Sequence, residues 1–204
     1  MQTTARFMHR REFLQIVKTG GKHQHHDQCF GDFLGTAGIP RQGALTEAVA
    51  RQAAADFNKF GEALAKHGLK FFYHNHGFEF VPHGDGTLFD LLVQETKPEL
   101  VTFERDIFWT VHPGQDRVKM LKKYPNRWAL MRVKDMRKGT KTGLLTGSED
   151  VRNDVALGSG QVDVAAALKA GQEAGVKHFI IEDESPTVLH QIPQSLRYLE
   201  SLAW

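Results

Sequence analysis

Apolar residues along this chain switch between two spacings, and the switches mark out strand–helix units from residue 30 onward. Residues 30–39 read as a short apolar strand ending in Gly38-Ile39-Pro40. Thr46 is suited to cap a helix over 47–67, where Val49, Ala53, Phe57, Phe60 and Leu64 recur at helical spacing and Gly68 closes the last turn. An aromatic-rich strand follows at 69–74, then a short helix at 89–96 that Pro98 breaks. Residues 101–106 predict a third strand, 118–123 a helix stopped near Pro125-Asn126, and 128–134 a fourth strand. The Gly/Thr-rich stretch 139–160 is longer than most connections and is a candidate binding loop. A helix at 164–174 closed by Gly175, a fifth strand at 178–182 and a helix at 189–202 complete the pattern.

Strands alternating with helices imply parallel βα units, without deciding between an open sheet and a barrel. No strand is followed by a dinucleotide-binding glycine turn or a P-loop, and Gly158-Ser159-Gly160 fits neither, which disfavours nucleotide-cofactor chemistry. Residues 1–30 differ from the rest: basic, rich in histidine (His23, His25, His26) and without a sustained period. They are expected to form a poorly ordered tail, with a metal-binding histidine tract as the alternative, leaving 31–204 as one domain.

Composition narrows the partners. Apolar residues make up 41% and charged residues 25%, with a formal net charge of +2 and the two signs interspersed, so there is no footprint for nucleic acid. No stretch approaches the roughly 20 apolar residues of a membrane helix. His9-Arg10-Arg11-Glu12-Phe13-Leu14 is similar to a twin-arginine export signal, but Ile16-Val17 gives way to Lys18 and no apolar segment follows. A cytoplasmic location is therefore expected, and the single cysteine, Cys29, fits a reducing compartment.

Polar residues collect where the strands end. The second strand runs into His74-Asn75-His76 with Glu79 beyond, the third into Asp106, the fourth into Arg132 and Lys134-Asp135, the fifth into Glu182-Asp183-Glu184. In parallel α/β folds this is the face on which sites are built. A His/Asp/Glu set without thiolates suits a divalent cation such as Mn²⁺, Mg²⁺ or Zn²⁺, which could polarise a carbonyl while an imidazole or carboxylate moves the neighbouring proton. A single Asp at a strand end is more often a turn or cap residue; four such ends together are harder to dismiss.

Four segments carry a resemblance. Phe72-Tyr73-His74-Asn75-His76-Gly77-Phe78-Glu79-Phe80, Phe103-Glu104-Arg105-Asp106-Ile107-Phe108-Trp109 with Pro113-Gly114-Gln115-Asp116, Leu130-Met131-Arg132-Val133-Lys134-Asp135-Met136, and Ile181-Glu182-Asp183-Glu184-Ser185 resemble, in order and spacing, the motifs of sugar phosphate isomerase/epimerase proteins of the xylose isomerase-like TIM-barrel group. The resemblance implies a (β/α)8 barrel with a divalent metal at its C-terminal mouth. By motif, Asp106 and Glu182 take metal positions, and so does Glu79, unless the first ligand lies earlier, near Tyr73. Glu182, His74 and His76 become the candidate catalytic groups, and Lys134 and Trp109 candidate substrate contacts, Trp109 reading equally well as a core aromatic. The implied substrate is a small sugar or keto-sugar, and a lyase or dehydratase running through the same intermediate is the neighbouring alternative.

Two departures temper this. The position that in this group is a metal-binding His is Arg132, whose guanidinium has no lone pair to give. The 204 residues also fall short of the about 250 of a complete barrel. By motif, the five strands correspond to the last five of eight, so the expected fold is an incomplete barrel lacking its first three βα units. A shortened gene, a gene-model error or a swapped dimer that completes the barrel in trans would each account for it. A catalytically inactive remnant, or a sugar-binding protein of the same fold, is the alternative from a different functional class.

Overall fold

The alternation takes physical form in the computed structural model, which describes residues 3–9, 11–17 and 28–202. In chain order the elements are β1 (Thr3–His9), β2 (Arg11–Val17), β3 (Gln28–Phe30), β4 (Phe33–Thr36), α1 (Glu47–Ala65), β5 (Lys70–His74), the small hairpin β6 (Pro82–His83) and β7 (Gly86–Thr87), and α2 (Leu88–Glu95). They continue with β8 (Val101–Asp106), α3 (Phe108–Val111), α4 (Lys119–Lys123), β9 (Trp128–Val133), β10 (Asp135–Met136), β11 (Asp154–Val155), α5 (Val164–Glu173), β12 (His178–Asp183) and α6 (Val188–Ser201). All five strands predicted from residue 30 onward form, the first of them shortened to four residues and preceded by β3.

The main sheet runs β1-β2-β12-β9-β8-β5-β4-β3. Its centre, β4, β5, β8, β9 and β12, is parallel throughout, and β2 extends it in parallel against β12. Each margin ends in an antiparallel hairpin, β1 on β2 and β3 on β4. Three strands, β1, β2 and β3, thus lie within the stretch expected as a tail, whereas His23, His25 and His26 lie outside the described residues. Among the described residues no helix is long and apolar enough to cross a membrane.

The sheet curls. Four strand spacings separate β4 from β12, which in a flat sheet would be about 19 Å. Yet the rings of Phe33 on β4 and His178 on β12 are 5.6 Å apart. The fold is therefore an α/β partial TIM barrel, with helices on the outer face and side chains meeting across the inside.

Alternation along each strand feeds two cores. Phe71 and Tyr73 of β5 turn outward and stack on Phe57 of α1, at 5.2 and 4.7 Å between ring centroids. Phe72 between them turns inward and joins Phe30, Phe33, Leu130 and Ile180 in a small apolar cluster. Gly35 makes room for it: a Cβ there would lie 2.1 Å from the Phe72 carbonyl oxygen and 2.6 Å from its ring. This apolar layer supports the charged one above it.

Candidate active site

Moving two residues along a strand keeps the same face and advances one layer toward the mouth. From Phe72 the next inward residue is His74; from Leu130, Arg132; from Ile180, Glu182. On β8 the inward positions are Glu104 and Asp106, placed beside His74 and Arg132 by the strand register. A charged layer thus lies directly on an apolar one, and all five side chains are buried.

Burial this deep demands partners. His74 Nδ1 lies 2.8 Å from Glu104 Oε2. Because a carboxylate only accepts, that nitrogen carries a hydrogen, and the other ring nitrogen, Nε2, lies 3.8 Å from Asp106 Oδ2. Arg132 spans two carboxylates: its Nε is 3.3 Å from Glu104 Oε2, and its Nη1 donates to Glu182 Oε1. Lys134 is held by Asp154 at 3.1 Å and Glu184 at 3.0 Å, with Glu182 at 4.0 Å and the Phe108 ring 5.2 Å from its ammonium. Burial by itself would lower the proton affinity of both cations, but Glu104, Glu182, Asp106 and Glu184 around Arg132, and Glu182, Asp154 and Glu184 around Lys134, raise it above the ordinary value.

The carboxyls respond in the opposite sense. Burial pushes Asp106 up to about 6 against the pull of His74 and Lys134, and Asp154 up to about 7 against Lys134. Asp106 is aimed by the chain itself, accepting from Trp109 N at 3.0 Å through Oδ1, while its own N–H donates to Asn75 Oδ1 at 3.1 Å. Its Oδ2 and the Oε1 of Glu104 are buried without a hydrogen-bond partner.

Glu79 has a different setting. It lies in the 3-10 turn Phe78–Phe80, accepts from the Tyr73 hydroxyl and from His76 N at 3.0 Å, and is pushed up to about 7 by burial. His76 stacks on Phe78 and lies tilted against Trp109, each 5.5 Å away, and its imidazole falls well below the usual histidine range through burial and the nearby His74 and Arg132 charges. Trp109 is buried in this aromatic group with Phe108 and His112. The expected residues His74, Asp106, Arg132, Lys134 and Glu182 therefore come together, while Glu79 is tied to its own strand and turn.

The long connection predicted over 139–160 folds back on the mouth. Gly143 N donates to the His112 carbonyl at 2.7 Å, Gly77 N to the Thr146 carbonyl at 2.9 Å, and Glu149 meets His112 Nε2 at 2.8 Å. Through β11 it delivers Asp154 to Lys134. Asp154 and Glu104 are the participants that sequence reasoning passed over. Glu104 stands two residues before Asp106 on the same face, a signal that was available; Asp154 arrives from a loop and gave none.

Do these residues suit the divalent metal expected from the motifs? Among the described residues no three His, Cys, Asp or Glu side chains are grouped to hold one. The space between Glu104 and Glu182 is taken by Arg132, a permanent cation that cannot give up its charge. The arrangement does not fit a metal ion at this point.

No family model matches the sequence. An inosose dehydratase from Clostridium perfringens is 25% identical over 161 residues, which make up 75% of this chain and 54% of that protein. The chain thus spans about half the length of the curated relatives it matches. A sugar phosphate isomerase/epimerase from Parabacteroides distasonis superposes with a TM-score of 0.66 at 26% identity, over 83% of this chain and 57% of that one. The IOLI protein, solved with a zinc atom, shares the fold at a TM-score of 0.62 and 14% identity, over 82% of this chain and 61% of that one. Motifs, fold and neighbours agree: the chain is similar to sugar phosphate isomerase/epimerase proteins and shares the fold of xylose isomerase-like TIM barrels.

Proposed function

We propose that this chain acts on a small sugar or keto-sugar by moving a proton at the carbon next to its carbonyl, as an isomerase or epimerase. The observation that supports this most directly is the His74 imidazole. Glu104 holds its Nδ1, its Nε2 lies 3.8 Å from Asp106, and two buried cations stand in the same network. Nε2 takes the proton from carbon, the electron pair moves onto the carbonyl oxygen, and the charge of the resulting enediolate is offset by Arg132 and Lys134. Return of the proton to the neighbouring carbon gives isomerisation, and return to the opposite face gives epimerisation. Glu182 is engaged by Arg132. His76 is the second acid/base candidate, and Trp109 the apolar wall beside it.

A lyase reading shares the first step. Proton removal beside a carbonyl also opens the loss of a neighbouring hydroxyl, and the curated relatives are named as dehydratases. A reading as a binding protein or remnant draws on the ion pairs that engage Arg132 and Lys134. We read the five βα units as the last five of an eightfold barrel, with β2 lying where a first strand would close onto the last.

The test is solvent exchange. Incubated in D₂O with ketopentoses, ketohexoses and inososes, the protein should wash deuterium into the position next to the carbonyl of one of them, followed by NMR. His74→Gln should lose about 10²–10⁴-fold of that rate. Binding without exchange would replace this proposal by the binding-protein reading.

A further inference from the structure

The strand ends bring more negative charge into the sheet interior than a neutral ligand could tolerate. Glu104, Asp106 and Glu182 all point inward and are all buried, and two of their oxygens, Glu104 Oε1 and Asp106 Oδ2, have no hydrogen-bond partner. Such a cluster requires a cation among its members. In this chain the cation is covalent. The Arg132 guanidinium lies between Glu104 and Glu182, its Nε ion-paired with Glu104 Oε2 at 3.3 Å and its Nη1 donating to Glu182 Oε1, and it reaches there from a strand paired with the strands that carry both acids.

We infer that Arg132 is the resident cation of this site, holding Glu104 and Glu182 as a bound divalent ion would, so that the chain folds and holds its site without metal. A planar guanidinium bridges two carboxylates with directed hydrogen bonds, and it keeps its charge at any pH the fold survives. A divalent ion brought to the same place would meet that fixed positive charge at contact distance. The inference rests on reading this cluster as the site, and it makes no demand on turnover.

The experiment measures metal and melting rather than activity, so a failure of the catalytic proposal would leave its outcome unchanged. Mn²⁺ is the probe, followed by its EPR signal after dialysis. Zn²⁺ is avoided because His23, His25 and His26 could capture it elsewhere. The unmodified protein should retain no Mn²⁺, and its melting temperature should not move with EDTA or with added Mn²⁺. Arg132→His, which removes the fixed charge and supplies an imidazole among the same carboxylates, should take up about one equivalent and melt higher in its presence. Retention of one equivalent by the unmodified protein would overturn the inference, as would a folded Arg132→His variant that takes none. Should that variant fail to fold by far-UV circular dichroism, Arg132→Lys and Arg132→Met decide the matter. The lysine variant, still cationic, should melt well above the methionine variant, and equal melting of the two would overturn the inference.

Discussion

Glu104 and Arg132 are both buried, so removing one takes a charged partner from the other. Breaking a buried pair from one side costs about 3–5 kcal/mol, whereas replacing both partners by apolar groups of similar volume is often close to neutral. Glu104→Gln should accordingly lower the unfolding free energy by about 3 kcal/mol in a urea titration. Glu104→Leu combined with Arg132→Met and Glu182→Leu, which removes all three linked charges, should recover much of that loss while abolishing deuterium exchange. A triple variant no more stable than Glu104→Gln would mean that these ion pairs are not the source of the cost. At this scale the sequence was partly legible. His74, Asp106, Lys134 and Glu182 could be named because strand ends in a parallel fold carry chemistry. Glu79 drew attention through its motif, yet its carboxylate serves Tyr73 and the His76 backbone. Which acid answers which base depends on strand register and on a loop, and neither is written in local spacing.

The helices obey local rules more closely than the site does. Thr46 caps α1 by accepting from Val49 N, and Gly68 adopts the left-handed φ of 73° foreseen for the residue after that helix. At α2 a capping box joins Thr87 and Asp90, and Asp90 also accepts from Lys123 and Tyr124. Burial would raise its carboxyl, but these hydrogen bonds outweigh burial and hold it below the usual carboxylate range. A carboxyl depressed in the folded state stabilises above its unfolded value, near about 3.9, and that contribution fades as pH falls through the folded value. Asp90→Asn should therefore melt lower than the unmodified protein at pH 7, and the gap should close below about pH 4. A gap that stayed constant with pH would point to lost shape rather than lost charge. The periodicity missed β1 and β2, in the stretch expected as a tail, and the shortest pieces, β3, α3, β6 with β7 and β10 with β11, each of these too brief to show a period of its own.

At the scale of the whole molecule, five βα units were readable from the switching of the apolar period, because each helix and strand buries one face. The curl was not readable from the period, since it depends on packing inside the sheet; only the resemblance to barrel proteins led to it being expected. Gly35 is one hinge of that packing. Gly35→Ala would place a methyl group against the Phe72 backbone and ring, and should destabilise the protein by about 1–3 kcal/mol in denaturant unfolding. Phe72→Leu in the same chain should not fully repair it, because the shortest clash is with a carbonyl oxygen. Complete rescue would place the conflict in the ring alone.

The connection from β10 to β11 exposes Arg137, Lys138 and Lys141 and then folds back through backbone contacts to the mouth. It is also a seam. Everything before it supplies β2 and β9, and the piece after it supplies β12, which is threaded between those two strands. A peptide bond cut at Lys141 would therefore divide the chain without dividing the sheet. Limited trypsin should give two bands on a denaturing gel and one particle on native size exclusion, and the two pieces expressed separately should find each other again.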